Sequence, residues 1–180
     1  MADPALLVID VQRAFDDPAW GRRDNPDSEA NIAALVAHWR EQGWPLVLVR
    51  HDSVEPESPL RPELPGNALM DFVDGEHDLL VTKSVNSAFH GEPSLQAWLD
   101  VQNIDTVYIC GMTTNHCCET TARVAGNLGY DMRFVIDATH TYDRPDHTGR
   151  IVPAEDLSRA TAASLHDEFG IVVQTTQVTG

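Results

Sequence analysis

The chain has 180 residues, 42% of them hydrophobic, which is enough to bury the core of a single domain. A formal net charge of −16 at pH 7 argues against nucleic acid and against an anionic membrane as partners. No apolar run reaches about 18 residues, so we expect no transmembrane helix, and the first ten residues lack the features of a signal peptide. Three cysteines, two of them adjacent, do not make a disulfide framework, and we expect a cytoplasmic protein.

Short apolar runs alternate with helical patterns along the chain, and no linker or internal repeat divides it. The predicted strands cover residues 5–9, 45–49, 79–82, 107–110, 133–136 and 171–173. The predicted helices begin at residue 27 or 28, 93, 115 and 154, and they end near residues 43, 101, 129 and 169. This alternation predicts one domain, residues 1–180, with an α/β, Rossmann-like fold in which helices cover both faces of a mainly parallel sheet.

Three chemically different groups follow three of these strands. Asp10 comes directly after the first strand, and Lys83, the only lysine in the sequence, comes directly after the third. Cys117 lies within one turn of the strand at 107–110. Ligands bind beyond the carboxyl ends of parallel strands, so an acid, an ammonium and a thiol are predicted to meet at one edge of the sheet.

Cys117 falls in the first turn of a predicted helix, for which Thr114 is the candidate N-cap residue. Backbone N–H groups and the positive end of the helix dipole meet there, so we expect the pKa of this thiol to be lowered. The alternative is a small buried residue, because free cysteines are among the most buried residue types.

The three groups together suit nucleophilic thiol chemistry. Asp10 can take the thiol proton, and Lys83 can stabilise the thiolate. Backbone N–H groups around Thr113 and Cys117 can then hold the oxyanion that forms when Cys117 attacks a carbonyl carbon. The product is a thioester, which water activated by Asp10 hydrolyses.

Three motifs, in this order, resemble those of the isochorismatase-like cysteine hydrolases, which include nicotinamidases and N-carbamoylsarcosine amidohydrolases: ALLVIDVQ-x-x-F, TKSVNSAF and CGMTTNHCCETTAR. The resemblance implies a catalytic triad of Asp10, Lys83 and Cys117. It also implies a cis peptide between Met112 and Thr113, with the N–H groups of Thr113 and Cys117 as the oxyanion hole. The implied fold has a six-stranded parallel sheet and assembles as a homodimer or homotetramer.

The family pattern selects Cys117 rather than its neighbour as the nucleophile. Adjacent helical residues differ in direction by about 100°, so Cys118 cannot share the position of Cys117. Cys118 aligns with Ala122 and Ala125 and is predicted to pack in the core, and Cys110 is predicted to be a core strand residue.

Nicotinamidases carry a D-x-H cluster with further histidines that binds a divalent metal ion. Here the corresponding stretch, RHDSVEPESPL, offers only His51 and Asp52, which are adjacent and poorly placed to share one ion. We therefore expect no metal and no cofactor. His51 and Asp52 are interpreted as structural residues or as a polar wall of the pocket.

The substrate pocket is predicted to contain Phe15, Trp20, Phe89, His116 and Tyr142. Trp20 lies in a polar loop at 16–26, and a proline-rich loop at 54–67 is a further candidate wall. Each aromatic residue has a core position as its alternative, and His116 either touches the substrate or only packs.

Three functions remain open from the sequence. The first is a cysteine amidohydrolase that acts on a small amide, ureido or carbamoyl compound, which the thiol favours. The second is an isochorismatase-type vinyl-ether hydrolase, whose chemistry does not depend on a thiol. The third is a non-hydrolytic small-molecule binder or a redox protein that uses Cys117 and Cys118.

Overall fold

A computed structural model describes residues 2–180 and confirms the predicted α/β fold. Among these residues the strands are β1 Ala5–Ile9, β2 Leu46–His51, β3 Leu79–Lys83, β4 Thr106–Met112, β5 Asp131–His140, β6 Arg144–Pro145, β7 Ile151–Val152 and β8 Ile171–Val173. The α-helices in the same part of the chain are α1 Ser28–Gln42, α2 Leu95–Gln102, α3 Glu119–Asn127, α4 Ala154–Leu165 and α5 Thr176–Thr179.

Six strands form one parallel sheet in the order β3-β2-β1-β4-β5-β8. The central strand β1 is buried over its whole length, which explains why it is a continuous apolar run rather than an alternating one. A small antiparallel hairpin of β6 and β7 lies apart from this sheet. The predicted six-stranded parallel sheet is therefore confirmed.

Successive residues of β1 point to opposite faces and create two cores. Leu6 and Val8 pack with α1, whose Trp39 is fully buried. Leu7 and Ile9 pack on the other face with apolar residues of α2, α3 and α4. The result is a three-layer arrangement, and it brings the carboxyl ends of β1, β3 and β4 to one edge.

The segment after β4 differs from the prediction. The helix does not begin as a regular α-helix capped by Thr114, because Thr114–Cys118 forms a π-helical turn that leads into α3. The Thr114 hydroxyl donates to Thr139 Oγ1 at 2.9 Å and so does not cap the helix. This wider turn changes the direction of the side chains in the turn that contains Cys117.

Strand β5 also differs, because it continues to His140 rather than ending at residue 136. Its pairing with β4 is irregular, since Ile109 pairs with Phe134 but Gly111 pairs with Thr139. The bulge hides the continuation of the strand from a simple apolar pattern. Asp137, within the bulge, accepts hydrogen bonds from the N–H and hydroxyl of Thr175.

Within residues 2–180, no helix combines the length and the apolar character that crossing a membrane requires.

Candidate active site

The structure brings Asp10, Lys83 and Cys117 together at the carboxyl edge of the sheet. The Lys83 ammonium donates to Asp10 Oδ2 at 2.6 Å, and both side chains are almost fully buried. A carboxylate oxygen of Asp10 and the sulfur of Cys117 lie within 4.8 Å of each other. The predicted convergence of acid, ammonium and thiol is thus present in the geometry.

The backbone of Asp10 turns sharply out of β1. Its φ of +52° is a left-handed conformation that aspartate tolerates better than most residues. On the neighbouring strand, Gly111 has a φ of +124°, and a Cβ at this position would collide with the backbone of Ile9. A glycine is therefore required where β4 passes β1, just before the turn that contains Cys117.

The second carboxylate oxygen of Asp10 has a different environment from the first. Oδ1 is buried and has no hydrogen-bond partner in residues 2–180. A buried acceptor without a donor is unfavourable in a resting protein, so such atoms often mark a functional site. Asp10 lies on the wall of the same cavity as Cys117, and Oδ1 is the carboxylate oxygen that is left free to accept a hydrogen bond.

His51, the last residue of β2, is a second partner of Lys83. Lys83 Nζ lies 3.1 Å from His51 Nδ1, and because an ammonium has only donors, Nδ1 must be the acceptor. Burial and the charge of Lys83 lower the pKa of His51. His51 is therefore the neutral tautomer with its proton on Nε2.

Gln12 holds His51 in position and explains the glutamine in the D-x-Q motif. The fully buried Gln12 side chain accepts from the His51 N–H at 2.9 Å and donates to the His51 carbonyl at 3.1 Å. Asp52 turns away and accepts two hydrogen bonds from Arg50 at 2.8 and 3.0 Å. Of the two interpretations offered for these neighbours, His51 lies on the cavity wall and Asp52 is structural.

The pKa of Cys117 is raised to about 12, not lowered as predicted. Burial is the main cause and the nearby Asp10 carboxylate the second, and together they outweigh the favourable charge of Lys83. Burial alone would lower the pKa of Lys83, but the neighbouring Asp10 and Cys117 have the opposite and larger effect, so the pKa of Lys83 is raised. Before any reaction, the site therefore contains a neutral Cys117 thiol beside the ion pair of Lys83 and Asp10.

The two other cysteines occupy the core, as predicted. Cys110 and Cys118 are both 0% exposed, and burial raises the pKa of each thiol. Cys118 packs in the same cluster as Ala122 and Ala125. Neither thiol shares the environment of Cys117, which alone of the three lies on the cavity wall.

A cavity of about 130 Å³ opens over the cysteine. Its wall is formed by Asp10, Phe15, Trp20, His51, Leu60, Asn86, Thr113, His116, Cys117 and Arg144. The predicted pocket residues Phe15, Trp20 and His116 lie on this wall. Thr113 and Cys117, the predicted oxyanion donors, line it as well, and the peptide between Met112 and Thr113 is cis, as the resemblance implies.

Phe89 and Tyr142 do not line this cavity, contrary to prediction. Phe89 stacks on Tyr130, with ring centroids 5.7 Å apart. Tyr142 lies behind Trp20, with centroids 5.6 Å apart, and its hydroxyl donates to the Phe15 carbonyl at 2.6 Å. Tyr142 therefore supports two wall residues without reaching the cavity.

Two wall residues, Asn86 and Arg144, were not named in advance. The Oδ1 atom of Asn86 is 3.8 Å from the sulfur of Cys117. Asn86 lies in the TKSVNSAF motif shortly after Lys83, and this position could have indicated a pocket residue from the sequence. Leu60 lies in the proline-rich loop at 54–67, so this loop forms part of the wall, as expected. Arg144 follows β5 in a polar stretch that carries no distinctive pattern.

Asp10, His51 and Cys117 each offer a ligand atom within 4.8 Å of the other two, a donor set that the sequence did not suggest. Lys83, however, is within hydrogen-bond distance of both Asp10 and His51. An ammonium at this point repels a cation and occupies Nδ1 of the histidine. The arrangement thus fits proton transfer better than metal binding, and the expected absence of a metal remains a prediction.

The doubly wound parallel sheet, with a cysteine beside a buried acid–lysine pair at its carboxyl edge, defines a class of α/β proteins equipped for thiol chemistry. In a comparison with protein-family sequence models, the model described as the Isochorismatase domain matches residues 4–167. The isochorismatase family protein YrdC of Bacillus subtilis is 39% identical over 97% of this chain and 93% of its own length. Streptothricin hydrolase of Streptomyces noursei is 32% identical over 93% of this chain and 61% of its own length. Nicotinamidase 3 of Arabidopsis thaliana is 30% identical over 94% of this chain and 83% of its own length.

Solved structures agree with these relatives. An isochorismatase-family structure from Chromobacterium violaceum has a TM-score of 0.93 at 36% identity, covering 98% of this chain and 92% of that one. A cysteine hydrolase from Pseudomonas syringae has a TM-score of 0.87 at 26% identity, with coverages of 98% and 91%. The chain therefore belongs to the isochorismatase family, and it is one of that family's cysteine hydrolases.

Proposed function

We propose that this protein hydrolyses a C–N bond in a small amide, ureido or carbamoyl compound, with Cys117 as the nucleophile. One observation carries the proposal. Asp10 uses one buried oxygen to bind Lys83 and leaves the other without a partner in residues 2–180, on the wall of the cavity that contains the thiol.

The raised pKa of Cys117 fits a mechanism in which the thiol ionises only when it reacts. Its proton moves to Asp10 Oδ1, and the loss of the carboxylate charge removes the second cause of the high pKa. The sulfur then attacks the carbonyl carbon, and the N–H groups of Thr113 and Cys117 bind the resulting oxyanion.

Collapse of this intermediate breaks the C–N bond. The leaving nitrogen takes the proton from Asp10, and a thioester remains on Cys117. Water then gives a proton to Asp10 while its oxygen attacks the thioester carbon. The C–S bond breaks, the acid product leaves, and the sulfur recovers the proton from Asp10. Throughout, Lys83 holds Asp10 and offsets the developing negative charge.

The relatives support hydrolysis. One is named a nicotinamidase and another a streptothricin hydrolase, and nicotinamide is itself a small amide. The burial of Cys118 disfavours the redox alternative, because its thiol is 0% exposed and packs among alanines.

The test is ammonia release from a panel of nicotinamide, N-carbamoyl amino acids and biuret-like compounds. We expect Cys117→Ala to lower turnover by about 10³-fold or more, whereas the matched Cys118→Ala variant should retain it. We also expect no effect of EDTA, because Lys83 occupies the place next to the donor set. Turnover that survives in Cys117→Ala would refute the nucleophile, and turnover abolished by EDTA would refute the metal-free mechanism.

A further inference from the structure

Arg144 is an unusual arginine in this protein. It lies on the wall of the cavity with Cys117, and its Nε is buried without a hydrogen-bond partner among the described residues. Most other arginines pair with a carboxylate, and Arg40 donates to backbone carbonyls. A guanidinium stays charged at neutral pH, so Arg144 places a cation with unused donors inside the site.

The backbone around Arg144 is held firmly. The preceding Asp143 accepts two hydrogen bonds from Arg22, at 2.7 and 2.9 Å, and one from the N–H of Ala154 at 2.8 Å. Arg144 itself pairs with Val152 in the β6–β7 hairpin. The guanidinium is therefore carried by a fixed segment, which lowers the cost of ordering it around a ligand.

The chemical class of a partner for Arg144 can be inferred from its surroundings. The sequence contains 28 acidic residues, yet none forms an ion pair with Arg144 in residues 2–180, and the acid on the same wall, Asp10, is bound to Lys83. A planar guanidinium fork matches a planar carboxylate. His116 lies near Arg144 on the same wall. Burial and the charge of Arg144 lower the pKa of His116, so His116 remains neutral and does not compete for an anion.

We propose that Arg144 binds a carboxylate of the substrate, so that the preferred substrates are small amides or ureido compounds that carry an anionic group. This inference rests on the proposed function, in which the carbonyl carbon of the same molecule lies at Cys117. The small volume of the cavity, about 130 Å³, favours a compact molecule whose carboxylate and carbonyl are a few bonds apart.

The first experiment compares two alkylating reagents of nearly equal size, iodoacetate and iodoacetamide, at Cys117. In both, the sulfur displaces iodide and a C–S bond forms, but only iodoacetate carries a carboxylate. We expect the ratio of the iodoacetate rate to the iodoacetamide rate to fall about ten-fold or more in Arg144→Gln. A change in the pKa of the thiol affects both rates alike, so it cancels in the ratio.

Arg150 supplies the matched control, because it is an exposed arginine in the turn of the same hairpin. Arg150→Gln removes the same charge from the protein but should leave the ratio unchanged. Fragmentation of the labelled peptide in a mass spectrometer assigns the label to Cys117 and separates it from label on the buried Cys110 and Cys118. An equal ratio in wild type and Arg144→Gln would overturn the proposal.

The second experiment needs no reactive thiol. Calorimetry measures the binding of N-carbamoylglycine and of its neutral amide, N-carbamoylglycinamide, to Cys117→Ala. We expect tighter binding of the carboxylate and loss of that preference in the Cys117→Ala, Arg144→Gln double variant. Equal binding of the two compounds, or no binding of either, would overturn the inference.

Ammonia release from the same two compounds separates this inference from the proposed function. Binding that depends on Arg144 without any turnover by the wild type would uphold the carboxylate site and count against hydrolysis. Turnover of both compounds that is indifferent to Arg144→Gln would uphold hydrolysis and overturn the carboxylate site.

Discussion

Lys83 contacts two neighbours at once, and its contribution to folding can be separated from the catalytic role proposed for it. Its side chain is 0% exposed and donates to both Asp10 and His51. Removal of the ammonium would leave the buried carboxylate without its partner, and breaking such a pair costs about 3–5 kcal/mol.

We therefore predict that Lys83→Met lowers the free energy of unfolding by about 3 kcal/mol and abolishes turnover. The double variant Asp10→Asn, Lys83→Met, in which both charges are removed, should recover part of that stability without recovering activity. Urea unfolding measures the first effect and ammonia release the second. A double variant no more stable than Lys83→Met would show that the ion pair is not what holds this site together.

His140, at the end of β5, lies in a hydrogen-bond network behind the cavity wall. The Tyr142 hydroxyl donates to the Phe15 carbonyl, so its oxygen accepts from His140 Nε2 at 3.3 Å. The Ser28 hydroxyl lies 2.9 Å from His140 Nδ1 and is then the donor to it. The neutral imidazole satisfies both partners, whereas protonation would reverse the bond to Ser28, so that the Ser28 hydroxyl proton would lose His140 as its acceptor.

The network makes stability depend on pH. Burial, helped by the charge of Arg23, lowers the pKa of His140 from 6.5 to about 3. Because the unfolded chain binds the proton first, stability is complete above the unfolded pKa of 6.5 and is lost as pH falls toward 3. From these two values, the loss attributable to His140 is about 2 kcal/mol at about pH 5.

Replacement by a neutral side chain isolates this contribution. His140→Gln should be less stable than wild type at about pH 8, yet its free energy of unfolding should fall by about 2 kcal/mol less between about pH 8 and about pH 5. Urea titrations at the two pH values measure the difference. Parallel pH profiles for the two proteins would show that His140 is not buried in its neutral form.

The secondary-structure elements that carry the site residues determine how much of the site could be predicted from the sequence. Asp10, Lys83 and Cys117 were predictable because each lies at or shortly after the carboxyl end of an apolar strand, and parallel strands present these ends at one edge. Arg144 was not, because its position depends on hydrogen bonds between Arg22 and Asp143, which are 121 residues apart. The raised pKa of Cys117 was missed for a similar reason: the π-helical turn and the burial of the thiol beside Asp10 arise only from the folded structure.

At the scale of the whole molecule, the net charge of −16 acts on every charged group together. Like charges repel in the compact state more than in the expanded chain, so the excess of acids destabilises the fold. Exposed ion pairs such as Arg13–Asp71 and Arg159–Asp156 offset little of this, since such pairs contribute about 0–1 kcal/mol each.

Salt should therefore stabilise this protein. Raising NaCl from about 0.01 M to about 1 M shortens the Debye length from about 30 Å to about 3 Å, and we expect Tm to rise by several degrees. The control is a variant in which the exposed acids Glu41, Glu57 and Glu168, which form no ion pair among the described residues, are replaced by glutamine. It should have a higher Tm than wild type at low salt and a smaller increase on salt addition. An identical salt response in both proteins would attribute the stabilisation to something other than screening of the acidic surface.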